Sequence, residues 1–303
     1  MAAFDPLQTL ETSLIVVRVK CLGFIRMGVP VLLVFTFLAC SPAKQTPPQA
    51  KPQRDEVRFF ERPATLAAIR KSGEAVPALV LMETDPWAAV IGSDSPTVAL
   101  YEDGTIIWRT GTAFRTTHLN RAELERLYTK LNPDALRPFY GRYDVAPMTD
   151  QPDEDLVVYR GDKPTFISVY GSLKSPEVRA KIPSEIVAAY DTLKDLNLPS
   201  SAEWLPPKFE IMVWPYEYAP DASIDWPKDL PDLKDGSTVK RGDSFSIYVP
   251  SSQLQEVRAF LAHRTEKGAI QIDGKKWAAA IRFPFPAERL WMAPNTEIKE
   301  GKD

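Results

Sequence analysis

An apolar run, Gly28–Ala39 (GVPVLLVFTFLA), ends at Cys40 and gives way to a stretch rich in Pro, Gln and Lys. A run that short suits the h-region of a secretory leader and falls short of a comfortable bilayer span. Arg26 interrupts it on the N-terminal side. The consequence for folding is direct. Cys21 and Cys40 are the only cysteines, so nothing past residue 40 can be stapled by a disulfide or built around a thiolate-bound metal. The fold must rest on an apolar core. Hydrophobic residues make up 44% of the chain, and all seven Trp lie beyond residue 86, which is enough to supply one.

Phe37-Leu38-Ala39-Cys40 resembles the lipobox of bacterial lipoproteins, with Ala39 and Cys40 as the closest matches. The resemblance implies cleavage before Cys40, acylation of its thiol with palmitate-type chains, and attachment to the membrane of the cell envelope. Two or three chains make a stable anchor, since each buried methylene contributes about 0.8 kcal/mol. With Ser41 after the cysteine, it further implies an outer-membrane lipoprotein facing the periplasm where the host has two membranes. On this reading residues 1–39 are the signal peptide. Asp5 and Glu11 are out of place in a basic n-region, whereas Arg18, Lys20 and Arg26 suit one. A translation start at Val17 or Val19 would explain the pattern, so the printed start is expected to be over-extended. Detection of a leader peptide containing Phe4–Leu10 by mass spectrometry would overturn that expectation.

The formal net charge of −3, with acids and bases mixed, argues against nucleic-acid binding, which needs a basic footprint. Residues 40–56 (CSPAKQTPPQAKPQRDE) read as a lipidated cysteine plus a flexible, extended tether. Folded sequence is expected from residue 57. Thr97–Thr110 alternates apolar residues around Asp103-Gly104, a hairpin signal. Asn120 and Glu123 form a capping-box pattern ahead of a helical stripe at Leu124, Leu127, Tyr128 and Leu131, which Asn132-Pro133 ends. Leu156–Tyr170 reads as a second hairpin around Gly161-Asp162, and Pro183–Leu196 as a second helix. Strands at Phe209–Trp214 and Phe245–Val249 precede a third helix with Ser252 and Gln255 as its capping box. Ile270–Phe283 then reads as a hairpin around Asp273-Gly274. Hairpins interleaved with three amphipathic helices, without βαβ spacing, point to an α+β fold with an antiparallel sheet and helices on one face. The expected division is a first lobe at 57–198, a linker at 199–204, a second lobe at 205–295 and a frayed tail at 296–303.

Chemistry is sparse. His118 and His263 stand alone, and no GxSxG, HExxH or glycine-rich phosphate loop occurs, so no cofactor, metal or catalytic residue is assigned. Carboxylates crowd two expected loops, Asp144–Asp155 and Asp221–Asp235. The spacing Asp229, Asp232, Asp235, Gly236 misses a calcium loop, and solvated charge is the plain reading. The most suggestive segment is Trp214-Pro215-Tyr216-Glu217-Tyr218-Ala219-Pro220, followed by Asp225-Trp226-Pro227. Trp214, Tyr216, Tyr218, Asp221, Asp225 and Trp226 are therefore the candidate ligand surface, for an envelope protein or a glycan. The competing reading makes Trp214 and Trp226 core residues.

Pro96–Trp108 (PTVALYEDGTIIW) and Leu119–Leu127 (LNRAELERL) resemble an uncharacterised bacterial lipoprotein family with a Tyr-x-Asp-Gly hairpin and a capped helix. The similarity extends architecturally over residues 75–290. It implies an envelope protein and contributes no catalytic residue. Together these readings describe a lipid-anchored, non-enzymatic binding module. The alternatives are a glycan-binding protein or a carboxylate-dependent hydrolase of the envelope, or a scaffold that docks on a secreted enzyme.

Overall fold

The computed structural model describes residues 49–52, 66–84, 95–160, 164–198 and 200–291. Cys40, the leader, the Gly161-Asp162 turn and the tail at 296–303 lie outside them. The chain folds as α+β, with five α-helices and two mixed sheets among the described residues.

The first sheet has eight strands: β1 (Pro77–Thr84), β2 (Val98–Tyr101), β3 (Thr105–Thr110), β4 (Ala113–His118), β5 (Gly141–Asp144), β6 (Asp153–Val158), β7 (Thr165–Tyr170) and β8 (Ala202–Trp204). Their spatial order is β5-β7-β6-β1-β2-β3-β4-β8. The turn between β2 and β3 shows why Asp103-Gly104 was legible. Asp103 accepts hydrogen bonds from the Thr105 backbone N–H at 2.8 Å and from its hydroxyl at 3.0 Å. Gly104 sits at φ +92°, and a Cβ there would lie 2.6 Å from the Leu119 carbonyl oxygen.

Alternate residues of this sheet serve two different cores. Leu79, Leu81, Leu100, Ile106, Leu156 and Ile167 face a helical layer. That layer holds α2 (Arg121–Leu131), a 3-10 segment (Pro133–Phe139), α3 (Pro176–Arg179) and α4 (Ser184–Lys194). The Asn120–Glu123 capping box forms as the sequence predicts, with bonds of 3.0 and 2.8 Å. Ala50, within the stretch expected to be a solvated tether, packs on the same cluster and donates its N–H to the Lys181 carbonyl at 2.7 Å.

Val80, Ala99, Tyr101, Ile107, Val157 and Tyr159 project from the other set of positions into a second cluster. This cluster also contains Phe209, Ile211, Val213, Ile247 and Val249 from the second sheet, and Ile69 of α1 (Leu66–Ser72). The second sheet comprises β9 (Lys208–Pro215), β10 (Ile224–Asp225), β11 (Val239–Arg241), β12 (Ser244–Pro250), β13 (Ile270–Ile272) and β14 (Lys275–Arg282), in the order β10-β13-β14-β9-β12-β11. The helix α5 (Leu254–Ala262) adds Leu254 and Val257 to the same cluster.

Several details depart from the expected pattern. The segment 199–204 is no free linker, because Ala202–Trp204 is β8 and pairs with β4. One core joins the two expected lobes. Two strand pairs, β5 with β7 and β10 with β13, run parallel, because each is joined by long intervening chain rather than a tight turn. No capping box forms at Ser252. Instead Ser251–Gln253 makes a 3-10 turn, pinned by Ser251 N–H and Oγ donating to the Pro207 and Pro206 carbonyls.

A buried ionic cluster closes the second sheet. Arg282 donates to Glu210 at 2.6 Å directly across β14 and β9, and to Glu288 at 2.5 Å. Glu210 is 1% exposed and Arg282 3%. Glu288 in turn accepts from the Phe285 backbone N–H at 2.9 Å, which fixes the segment that carries Phe285, Leu290 and Trp291 into the shared core. Removing one partner of such a pair leaves a buried charge poorly compensated, typically at a cost of about 3–5 kcal/mol. Glu210→Ala should therefore lower unfolding free energy by about 3 kcal/mol in urea titration, with Glu210→Gln in between. A loss under about 1 kcal/mol would show that the cluster is not a structural lock.

Candidate functional site

The aromatic and acidic segment is built on the end of the second sheet. Trp214 is half-buried in β9, opposite Ala278. Tyr216 is also half-buried, and its backbone N–H donates to the Lys276 carbonyl at 3.0 Å. Ala219 N–H closes a turn onto the Tyr216 carbonyl at 3.1 Å, and Ala219 is itself buried. Tyr218, at the centre of that turn, is 94% exposed. A hydrogen-bonded turn thus holds a tyrosine out in solvent.

Two clefts flank the β13–β14 hairpin. One, of about 420 Å³, is lined by Asp225, Trp226, Lys228, Asp232, Gln271 and Asp273 among others. The other, of about 360 Å³, is lined by Pro215, Glu217, Lys240, Phe245, Lys275 and Lys276, with Asp243 and Trp277. The hairpin contributes Gln271–Gly274 to the first and Lys275–Trp277 to the second. Its turn residues Asp273 and Gly274 both have positive φ, at 51° and 76°, as a type I′ turn requires.

Of the six candidate residues, the structure brings only Asp225 and Trp226 into one cleft. Trp226 serves both readings: its indole N–H donates to the Pro231 carbonyl at 3.1 Å and its ring meets Phe260 edge-on at 5.7 Å, yet it also lines the cleft. Asp221 lies apart and accepts a hydrogen bond from the Thr265 hydroxyl at 2.7 Å. Two further carboxylates of that loop accept hydrogen bonds from their own backbone. Asp232 accepts from Lys234 N–H and Asp235 from Ser237 N–H, each at 2.8 Å. Among the described residues no group of three or more His, Cys, Asp or Glu could hold a metal ion, and no helix is long and apolar enough to cross a membrane. His118 ends β4 and His263 caps α5.

No family model matches this chain. No curated protein and no solved structure matches it either.

The other acidic stretch holds a group the sequence did not single out. The expected loop Asp144–Asp155 ends inside β6, so Glu154 is a strand residue directly opposite Glu83 of β1. Both project towards the helical layer, in phase with Leu79, Leu81, Leu156 and Val158. Glu83 is bound by Lys194 Nζ at 3.0 and 3.1 Å and by the Tyr190 hydroxyl at 2.9 Å, with Lys174 at 3.8 Å. Burial raises the Glu83 carboxyl, but hydrogen bonding and charge from Lys194, with Tyr190, outweigh it and hold the group below its ordinary value. Glu154 is 3% exposed, and its Oε2 has no hydrogen-bond partner among the described residues. Burial pushes Glu154 up to about 7, with the Glu83 charge adding to the rise and the Leu173 backbone N–H opposing it. Burial, followed by the charges of Glu154 and Glu83, also raises the Tyr190 phenol. The signal that could have revealed this pair is Glu83 itself, a charge in phase with the buried positions of β1.

The division of labour has a sign. Glu154 binds its proton more tightly folded than unfolded, so its contribution favours the fold below about pH 4.5 and fades as pH rises to about 7. Glu83 works the other way, adding stability above about 4.5 that is lost at lower pH. Melting temperature should therefore fall between pH 5 and 7.5, and Glu154→Gln should flatten that slope. An unchanged slope in the variant would assign the pH dependence elsewhere.

Proposed function

We propose that this chain is a lipid-anchored protein of the bacterial cell envelope whose α+β domain binds a ligand without catalysis. The anchor rests on the apolar run and Cys40. The binding reading rests on one observation above the others: Tyr218 stands 94% exposed on a turn with a pinned backbone, on the loop that also lines one of two adjoining clefts. Exposing a large aromatic on a hydrogen-bonded turn costs solvation free energy and gains nothing for the core, whereas such side chains are favoured at binding hot spots.

The hydrolase alternative has a specific point in its favour, since the surroundings of the adjacent carboxyls Glu83 and Glu154 push one down and the other up. Yet Glu154, the one pushed up, is sealed beneath the helical layer, where no substrate atom could meet it. Binding is the better reading.

Replacement of Cys40 by Ser tests the anchor, and crosslinking tests the surface. Metabolic labelling of the native host with a palmitate analogue should mark the wild-type protein and not the variant, which should leave the membrane fraction. In the wild type, a crosslinker placed at Tyr218 should yield a defined adduct that Trp226→Ala weakens and Lys130→Gln leaves unchanged. Label incorporated equally by both forms would refute the anchor. The absence of any Tyr218-dependent adduct would refute the surface.

A further inference from the structure

Ala50 ties the start of the chain to the folded domain. Its backbone N–H donates to the Lys181 carbonyl at 2.7 Å, and its side chain packs on the cluster between the first sheet and the helical layer. A stretch rich in Pro, Gln and Lys does not demand such a contact, since that composition favours a solvated chain. The contact shortens the tether. Cys40 precedes Ala50 by ten residues, whereas 26 separate it from the start of α1 at Leu66. Ten residues reach about 36 Å at full extension and about 17 Å on average as a flexible chain.

The corner that holds Ala50 also carries an exposed apolar side chain. The Lys181 Nζ lies 3.5 Å from the Val145 carbonyl, just past the end of β5. Val145 is buried in the same cluster that Ala50 packs on, and it opens the loop 145–152. That loop is fastened near both ends: Val145 N–H donates to the Tyr170 carbonyl at 3.3 Å, and Gln151 N–H to the Tyr170 hydroxyl at 3.4 Å. Between them Met148 stands 64% exposed. Among the described residues the other large apolar side chains so exposed are Leu205, Tyr218 and Val239, and α3 and α4 expose none. A flexible thioether adapts to irregular apolar surroundings, and the boundary between lipid headgroups and acyl chains is one.

We propose that the corner built from Ala50, Lys181 and the Met148 loop is the membrane-facing surface of this domain, with Met148 seated at the headgroup level of a phospholipid bilayer. The inference rests on the lipid-anchor reading above and names the surface that the anchor brings to the membrane. One methionine adheres weakly by itself, so the short tether does the work by keeping this corner at high effective concentration near the lipid. Ala50 and Val145 belong to the helical side of the first sheet, and the second sheet joins the cluster on the opposite side. The bilayer therefore meets the helical side. The Tyr218 turn, at the end of the second sheet, is held away from it and left open to a ligand that is not lipid.

The test is contact quenching in vesicles of phosphatidylethanolamine and phosphatidylglycerol. The full lipidated protein carries a bimane fluorophore on one added cysteine, Met148→Cys or Tyr218→Cys, and lipids with a nitroxide on the headgroup act as quencher. Cys40 is acylated and Cys21 leaves with the leader, so only the added thiol takes the label. Bimane at position 148 should be quenched several-fold more strongly than at 218. Ala50→Pro removes the N–H that Lys181 accepts, and an insertion of about twenty Gly and Ser residues between Gln45 and Thr46 lengthens the tether. Each should weaken quenching at 148 while the protein still floats with the vesicles. Vesicle-bound protein that is unquenched at 148, or quenched equally at 218, overturns the inference and leaves the anchor standing. So does quenching at 148 that survives both changes to the tether. Protein that does not float with the vesicles, and behaves as Cys40→Ser does, overturns the anchor reading and this inference with it.

Discussion

Arg282 is where the molecule is tied together. Its guanidinium grips Glu210 across the centre of the second sheet and Glu288 on the segment that follows the last strand. That segment delivers Phe285, Leu290 and Trp291 to the core shared by both sheets. It also brings the Pro286 and Leu290 carbonyls to the hydroxyls of Tyr101 and Tyr159, at 3.2 and 2.9 Å. A buried arginine is costly unless its charge and its donors are matched, and the planar fork of guanidinium suits two carboxylates at once. The position of the closing segment, and through it the apposition of the two sheets, follows from satisfying that one group.

The first sheet carries a different kind of constraint on its helical side. Glu83 and Glu154 sit opposite each other where a strand pair would normally place apolar or oppositely charged residues. The sheet tolerates them because α4 supplies Lys194 and Tyr190 to Glu83, while burial raises the Glu154 carboxyl so that it gives up its proton less readily. The helix is held by polar contacts at its C-terminal end as well as by Ile186, Ala189 and Leu193 along its buried stripe.

Local chemistry was the legible part of the sequence. Asp103-Gly104 and Asp273-Gly274 specify their turns through positive φ and side-chain bonds within two residues, and Asn120 with Glu123 specifies a helix start across three. What the sequence withheld is pairing at a distance. Nothing near Gly141 announces that β5 runs parallel to β7, and nothing near Ala202 marks it as a strand that pairs with β4. The candidate surface was legible as an aromatic, proline-stiffened segment. Its surroundings were not, since Pro215, Phe245 and Trp277 come to line one cleft only after the second sheet has formed.

The two tyrosine hydroxyls carry a consequence for the order of assembly. Tyr101 and Tyr159 find their carbonyl acceptors 185 and 131 residues further along the chain. A growing polypeptide that has made all of the first sheet still has an apolar face on which, of the described elements, only α1 packs. Local turns and helices form early, but commitment to the native state is a late event, and contacts of such sequence separation slow the search for it. A chain stopped before β9 would present a largely uncovered sheet rather than a smaller version of the same domain.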